Sequence, residues 1–510
     1  MEANRIRNGA PLFGWLSAAL ISAPLFVAAW AFGGMRGDVL RAVMPPVLLV
    51  GLCTTLLLPQ RRPGETAGEA CRRVWGAILL DRFAWAAAGL LVYLCLPLFN
   101  VGTDPLLDSA AGAAGAQGDP RRVFLPFCVD GTEHAGVLCW FASALVAALG
   151  VRHGLTRHGK RGLYEALVWN AALLAGFGFL QIVTGARAPF WGDVTRPVHF
   201  FSVFAYPNMA GAYFTFGYAL ALGLWIFRIE DVENVSLLEE QGARAPAHPG
   251  LHAHYPALLC ALLFCAVLAT RCRAAMLLTF VLTALFIVYV VCRPLTGDGP
   301  VRARRFRTIV TVGALMLALV GGVYVYAPPE VAQELRTLNA FSVSDRVTGK
   351  GGYHTRVATA VMRDYPLFGV GGWGYRHFSM GYLAREGSEK FLQVSGGANV
   401  HNDYLQFLAE HGVVGFGLMV LCLGLLLKPV YQVWSRLSKL AYGRARSNMA
   451  GSSLTVFSIP APVLWSFLGF VAVLVHAFGD CPLRAASVLI LLYVVPAIAQ
   501  GFLVAEKTVD

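Results

Sequence analysis

Charge is what this chain has least of. Only 14% of its 510 residues are Asp, Glu, Lys or Arg, and 57% are hydrophobic. An ordinary soluble domain is about 25% charged, so the shortage excludes a soluble globular class and leaves an integral membrane protein. Metal-ligand spacing is missing as well. There is no Cys-x-x-Cys, and no Asp-x-Asp or His/Asp/Glu cluster in the loops assigned below to the outside, which disfavours divalent-ion-dependent chemistry and points to no cofactor. Neither Gly-x-Ser-x-Gly nor Ser-x-x-Lys occurs, so those nucleophile frameworks are excluded. Gly369, Gly371, Gly372 and Gly374 suit tight turns and close backbone approach, but their spacing is not that of a dinucleotide fingerprint. No internal repeat is apparent and ionisable residues do not gather mid-span, which weakens the alternative of a secondary transporter. The eleven cysteines are scattered, and most lie in apolar runs as small hydrophobes. Cys128, Cys272 and Cys481 leave room for one disulfide, with nothing to assign it.

What the chain has in abundance is long apolar runs. About twelve stretches of roughly 17–25 residues, each enough to cross a bilayer, fall near 11–32, 40–58, 79–98, 134–151, 164–184, 209–228, 255–270, 274–292, 308–327, 412–430, 456–478 and 485–504. The first is long enough to span and others follow it, so it reads as a span rather than a cleaved leader. The formal charge of +12 comes from short basic clusters between these runs. Arg5 and Arg7, Arg61 to Arg73, Arg152 to Arg161, Arg302 to Arg307 and Arg436 to Arg446 occupy alternate connections. That is the positive-inside pattern rather than a nucleic-acid surface, and it places both termini in the cytoplasm. The complementary loops 99–133, 185–208, 271–273, 328–411 and 479–484 then lie outside. The expected fold is an all-α polytopic membrane protein of about twelve transmembrane helices, with one large helical loop between spans nine and ten. Its parts are a bundle over 1–327, a loop domain over 328–411 and a second bundle over 412–510. Helical patterns at 329–338 and 355–363 give the loop its own structure.

The most informative stretch is 394–417, where this loop returns to an apolar run through His401-Asn402-Asp403. Asn402 or Asp403 can cap the following helix. Helical spacing puts His401, Leu405, Leu408 and Gly412 on one face. The positive helix end disfavours an imidazolium and suits a general base, and its exposed N–H groups suit an anion. The bland alternative is an interfacial helix whose histidine only anchors at the headgroups. A second group is basic. Arg271 and Arg273 stand in a three-residue connection, and Arg196 lies in an aromatic-rich loop before Tyr206-Pro207-Asn208. Arginines so near hydrocarbon snorkel to lipid phosphate, pair, or bind an anionic ligand. Guanidinium is the natural bidentate partner of phosphate.

His401-Asn402 followed by nine residues and Gly412-Val-Val-Gly415 resembles the signature of the O-antigen ligase and polymerase superfamily. Arg363-Asp-Tyr-Pro-Leu-Phe-Gly-Val-Gly371, Thr270-Arg-Cys-Arg273-Ala-Ala and Phe204-Ala-Tyr-Pro207-Asn208 resemble further motifs of that family, in the right order. Cys272 and Ala274 depart from the serine and glycine usual at the turn. The resemblance covers 195–417 and implies a metal-independent, inverting glycosyltransferase with a GT-C-type membrane fold. It implies transfer from an undecaprenyl-diphosphate carrier, on the periplasmic side of a bacterial inner membrane, to lipid A-core, a growing glycan or a protein. It further implies that Arg273 and Arg196, with Arg271 beside them, hold the carrier diphosphate. His401 would then deprotonate or orient the acceptor hydroxyl, and Asn402 would fix the imidazole or the sugar. Gly369, Gly371, Gly412, Gly415, Pro207 and Asn208 are its motif positions with a structural part.

Overall fold

The protein is described by a computed structural model over residues 12–102, 125–192, 199–240, 255–292, 350–385, 399–446 and 459–503. The expected span at 308–327, the helix at 329–338 and Arg196 lie outside the described residues. Among those residues there is no β-strand, only the isolated bridges Val101–Cys128 and Phe201–Phe204. The α-helices are α1 Leu12–Trp30, α2 Gly37–Leu57, α3 Ala67–Leu80, α4 Arg82–Cys95, α5 Gly131–Leu149, α6 Arg157–Val183 and α7 Pro207–Glu240. They continue with α8 Tyr255–Ala269, α9 Arg273–Cys292, α10 Lys350–Asp364, α11 Gly374–Arg385, α12 Asp403–Arg446, α13 Ala461–Ala477 and α14 Ala486–Ala499.

Seven of the described helical segments are long and apolar enough to cross a membrane, and four shorter apolar helices accompany them. Leu49, Leu173, Ile182, Leu258 and Val288 are exposed on these helices. Apolar side chains turned outward in such number need a hydrocarbon solvent rather than water. The chain is a multi-pass α-helical membrane protein.

It divides into two compact units. The first comprises Met1–Thr156, Ala340–Leu426 and Leu474–Val494. Local chemistry sets its helix starts. Thr66 and Glu69 form a capping box on α3, and Asp81 and Asp130 accept backbone N–H groups at the starts of α4 and α5. A turn of π-helix, Gly150–Gly154, follows α5. A Cβ at Gly150 would sit 2.7 Å from Thr55 Oγ1 and 2.8 Å from Ile21, so glycine lets α1, α2 and α5 approach closely. The loop portion has its own apolar core, in which Val357, Val361, Val370, Tyr375, Phe378, Val400 and Ala409 are buried together.

The second unit comprises Arg157–Asn339, Leu427–Val473 and Val495–Asp510. Its most enclosed helix is α7, whose membrane-length window is 94% buried. Gly211 meets Cys272 and Ala275, and Gly217 meets Ala171, where any larger side chain would collide. These small-residue contacts are how α7 packs on α6 and α9 without a water-driven hydrophobic force between them.

Candidate active site

Asn402 caps α12. Its Oδ1 accepts from the Leu405 N–H at 3.1 Å, and its carbonyl accepts from the Gln406 N–H at 3.0 Å. His401 precedes the cap and adopts φ 56°, a left-handed conformation uncommon for a residue other than glycine. The helical register therefore begins only at Asp403, and the face that spacing alone would share among His401, Leu405, Leu408 and Gly412 does not include the histidine. Its ring turns instead to the link between α13 and α14, where Nδ1 lies 3.4 Å from Asp480 Oδ1. The His401 side chain is 46% exposed, whereas that of Asp480 is 5% exposed.

Burial alone would raise the Asp480 pKa. The hydrogen bond and charge of His401, the charge of His476 and the Cys481 N–H at 2.8 Å outweigh it and hold the carboxyl below its ordinary value. An ionised carboxylate only accepts, so Nδ1 is the donor in this contact, and in a neutral ring the lone pair is then on Nε2. His354, from α10, lies with its ring centroid 6.4 Å from that of His401, and its Nδ1 is 3.1 Å from the Tyr375 hydroxyl. Burial, and then the neighbouring His401, push its pKa below the usual imidazole value.

A buried ionic cluster fastens the two halves of this pair. Arg484 and its partners Asp403 and Glu410 have fully buried side chains. Arg484 Nη1 donates to Glu410 Oε2 at 2.7 Å, and its Nε is 3.6 Å from Asp403 Oδ1. The guanidinium lies 4.5 Å from the Phe407 ring and 5.2 Å from the Trp373 ring, both within cation–π range. Asp403 Oδ2 accepts the Leu483 N–H at 2.8 Å, and Gln406 bridges from the Val400 N–H to Glu410 Oε1. The link carrying Asp480 is thus tied to the first turns of α12, and so to the cap beside His401.

The glycine motifs pair with each other along the backbone. Gly412, at φ 59° and ψ −173°, breaks the helical path of α12. The N–H groups of Val413 and Val414 then donate to the carbonyls of Pro366 and Leu367, while Val370 and Gly371 donate to Ala409 and Glu410. A Cβ on Gly412 would lie 2.2 Å from Leu367 O, and one on Gly369 would lie 2.4 Å from the Glu410 carbonyl carbon. Gly415 lets Tyr93 approach, whose hydroxyl donates to His411 O at 2.6 Å. The two motifs, far apart in sequence, are one backbone zipper.

In the second unit, the 270–272 turn joins α8 to α9 with Arg271 at φ 58°, and Cys272 N donates to Thr270 Oγ1 at 3.3 Å. Pro207 opens α7, and Gly211 packs on Cys272 and Ala275, so the Pro-Asn element and the arginine turn meet. Arg271 and Arg273 are half-buried there. All eleven cysteines are free thiols. His401, Asp480 and Cys481 offer ligand atoms within 4.8 Å of one another, a mixed donor set that reading the sequence for local spacing does not find. Local spacing does not point to Asp480 and Arg484, which sit far along the chain in a short link. Asp403, Glu410 and Arg484 beside apolar runs were the available signal, since such charges persist only when paired.

A multi-pass helical membrane protein with a histidine–carboxylate pair beside a glycine-zipped loop is the class defined so far. Residues 258–420 match the family model described as O-antigen ligase. That segment holds the arginine turn, the 363–371 motif and the 401–415 motif, and over it the chain is similar to the O-antigen ligase family. A search of the curated proteins finds no match to the chain.

Proposed function

We propose that the protein transfers a glycan from an undecaprenyl-diphosphate carrier to an acceptor hydroxyl at the periplasmic face of a bacterial inner membrane, with inversion at the anomeric carbon. The observation that supports this reading best is the His401–Asp480 pair. In this reading Nδ1 faces Asp480 and Nε2 of the half-exposed ring is the proton acceptor. In the step, the acceptor oxygen attacks the anomeric carbon and its proton passes to His401 Nε2. The bond from that carbon to the diphosphate oxygen breaks, and the electron pair leaves with the diphosphate. Asp480 holds the tautomer and balances the imidazolium that forms, as a carboxylate does in other histidine-based catalysts. Asn402 holds the start of α12, and with it the position of His401. Arg273, Arg271 and Arg196 stabilise the leaving diphosphate in this scheme, a part that rests on the motif resemblance and on the phosphate chemistry of guanidinium.

Purified full-length protein in nanodiscs, supplied with diphosphate-linked oligosaccharide and separately with lipid A-core, free glycan or a hydroxyl-bearing peptide, tests the reading. Transfer to one acceptor class supports it and names the acceptor. Absence of transfer together with solute flux in proteoliposomes would instead indicate a transporter.

A further inference from the structure

The histidine that the transfer uses also belongs to a second constellation. Its Nδ1 is 3.4 Å from Asp480 Oδ1, and Cys481 Sγ is 3.4 Å from the same oxygen. All three ligand atoms lie within 4.8 Å of one another, drawn from the start of α12 and from the 478–485 link. Zinc bonds of about 2.0–2.3 Å in a tetrahedron require donor–donor edges of roughly 3.3–3.7 Å. Two of the three edges already have that length, and the third closes by a small movement of the exposed ring. Thiol, imidazole and carboxylate together suit a borderline-soft ion of four-coordinate habit. Magnesium and calcium, which need six or more oxygen ligands, are poorly matched.

We infer that His401, Asp480 and Cys481 form a Zn²⁺ site whose occupancy switches off transfer. The binding half stands on this geometry; the consequence for transfer rests on the role of His401 given above. Binding balances simply. The Cys481 thiol loses its proton to solvent as the metal–sulfur bond forms, Asp480 gives one oxygen, and His401 gives Nδ1. The imidazole proton must then move to Nε2, which removes the lone pair that receives the acceptor proton. The fourth position takes water, and of the three ligands only His401 is exposed to solvent. The Asp403–Arg484–Glu410 cluster supplies the rigidity such a site needs, because it fixes the 480–484 link to α12.

Cobalt(II) is the probe, titrated into metal-free full-length protein in detergent. One equivalent should give tetrahedral d–d bands and a thiolate-to-cobalt charge-transfer band, and one equivalent of Zn²⁺ should abolish both. Cys481→Ser should remove the charge-transfer band and weaken binding by more than about 10-fold, the least that loss of even an outer-shell partner costs. Asp480→Asn should weaken it comparably, while Cys71→Ser should leave the spectrum intact. The ratio of transfer rates with and without Zn²⁺ should fall well below one in the parent and return to one in Cys481→Ser. A monodisperse parent protein with no charge-transfer band, or a band that survives Cys481→Ser, would overturn the site. Failure of the catalytic reading looks different: the spectra appear, yet His401→Ala transfers glycan at the parental rate.

Discussion

Gly412→Ala is the perturbation whose cost the structure specifies most closely. The residue has φ 59° and ψ −173°, a region open to glycine and costly for any other residue. Its added Cβ would meet Leu367 O at 2.2 Å, Leu367 C at 2.3 Å and Phe368 N at 2.5 Å. These are backbone atoms, so no flexible side chain can give way. Backbone strain of about 1–3 kcal/mol is to be expected. Loss of the Val413–Pro366 and Val414–Leu367 hydrogen bonds adds about 0.5–1.5 kcal/mol each. The sum is about 2–6 kcal/mol, read as a shift in the denaturant midpoint of protein purified in mild detergent. Gly417 and Gly424 on the same helix are the controls, since a Cβ at either meets nothing within 4 Å. Alanine at those positions should be neutral or stabilising by about 0.5–1 kcal/mol, because glycine is a poor helix former. If Gly412→Ala were as stable as Gly424→Ala, the zipper between 366–371 and 409–414 would not be the structural reason for the motif.

Arg484→Met should destabilise the protein by about 3–5 kcal/mol, because it strands the buried carboxylates of Asp403 and Glu410. Adding Asp403→Asn and Glu410→Gln to that variant should restore part of the loss in the same unfolding assay, and no restoration would contradict the ionic account. His354 is held below its ordinary pKa by burial and then by His401, so the unfolded chain takes up its proton first. Its contribution to stability is full above about 6.5, the ordinary imidazole value, and is lost as pH falls from there towards the folded-state value. His354→Gln should therefore flatten the acid side of the stability profile between those limits, and an unchanged slope would remove His354 from the account.

Helices were the legible part of the sequence, and for a simple reason. A run of apolar residues long enough to cross a bilayer forces its backbone to bond internally, so composition alone locates α2, α5, α6 and α9. The amphipathic helix α3 lies mostly in what composition reads only as a basic connection between the runs at 40–58 and 79–98, although Thr66 and Glu69 carry a capping-box signal. Asn402 was legible as a cap because capping is a local rule. His401 was legible as a residue of interest but misplaced in orientation, since helical spacing takes no account of a left-handed residue before the cap. Asp480 was not legible as its partner, because pairing between positions 401 and 480 is set by tertiary packing through Arg484. Sequence order also could not show that Gly369 and Gly412 serve the same contact. Each needs glycine for its positive φ and also because a Cβ would meet the backbone of the facing segment, and only the first of these is a local rule.

In the proposed transfer His401, positioned by Asp480, receives the acceptor proton. Steady-state transfer from a diphosphate-linked oligosaccharide, measured for the parent, His401→Ala and Asp480→Asn in metal-free nanodiscs, tests it most directly. General-base loss predicts a fall in kcat of about 10²–10⁴-fold for His401→Ala, with the protein still inserted and monodisperse. Asp480→Asn should lower kcat with little change in donor KM, because the carboxylate sets the tautomer and does not touch the donor. Parental rates from folded His401→Ala protein would contradict the account.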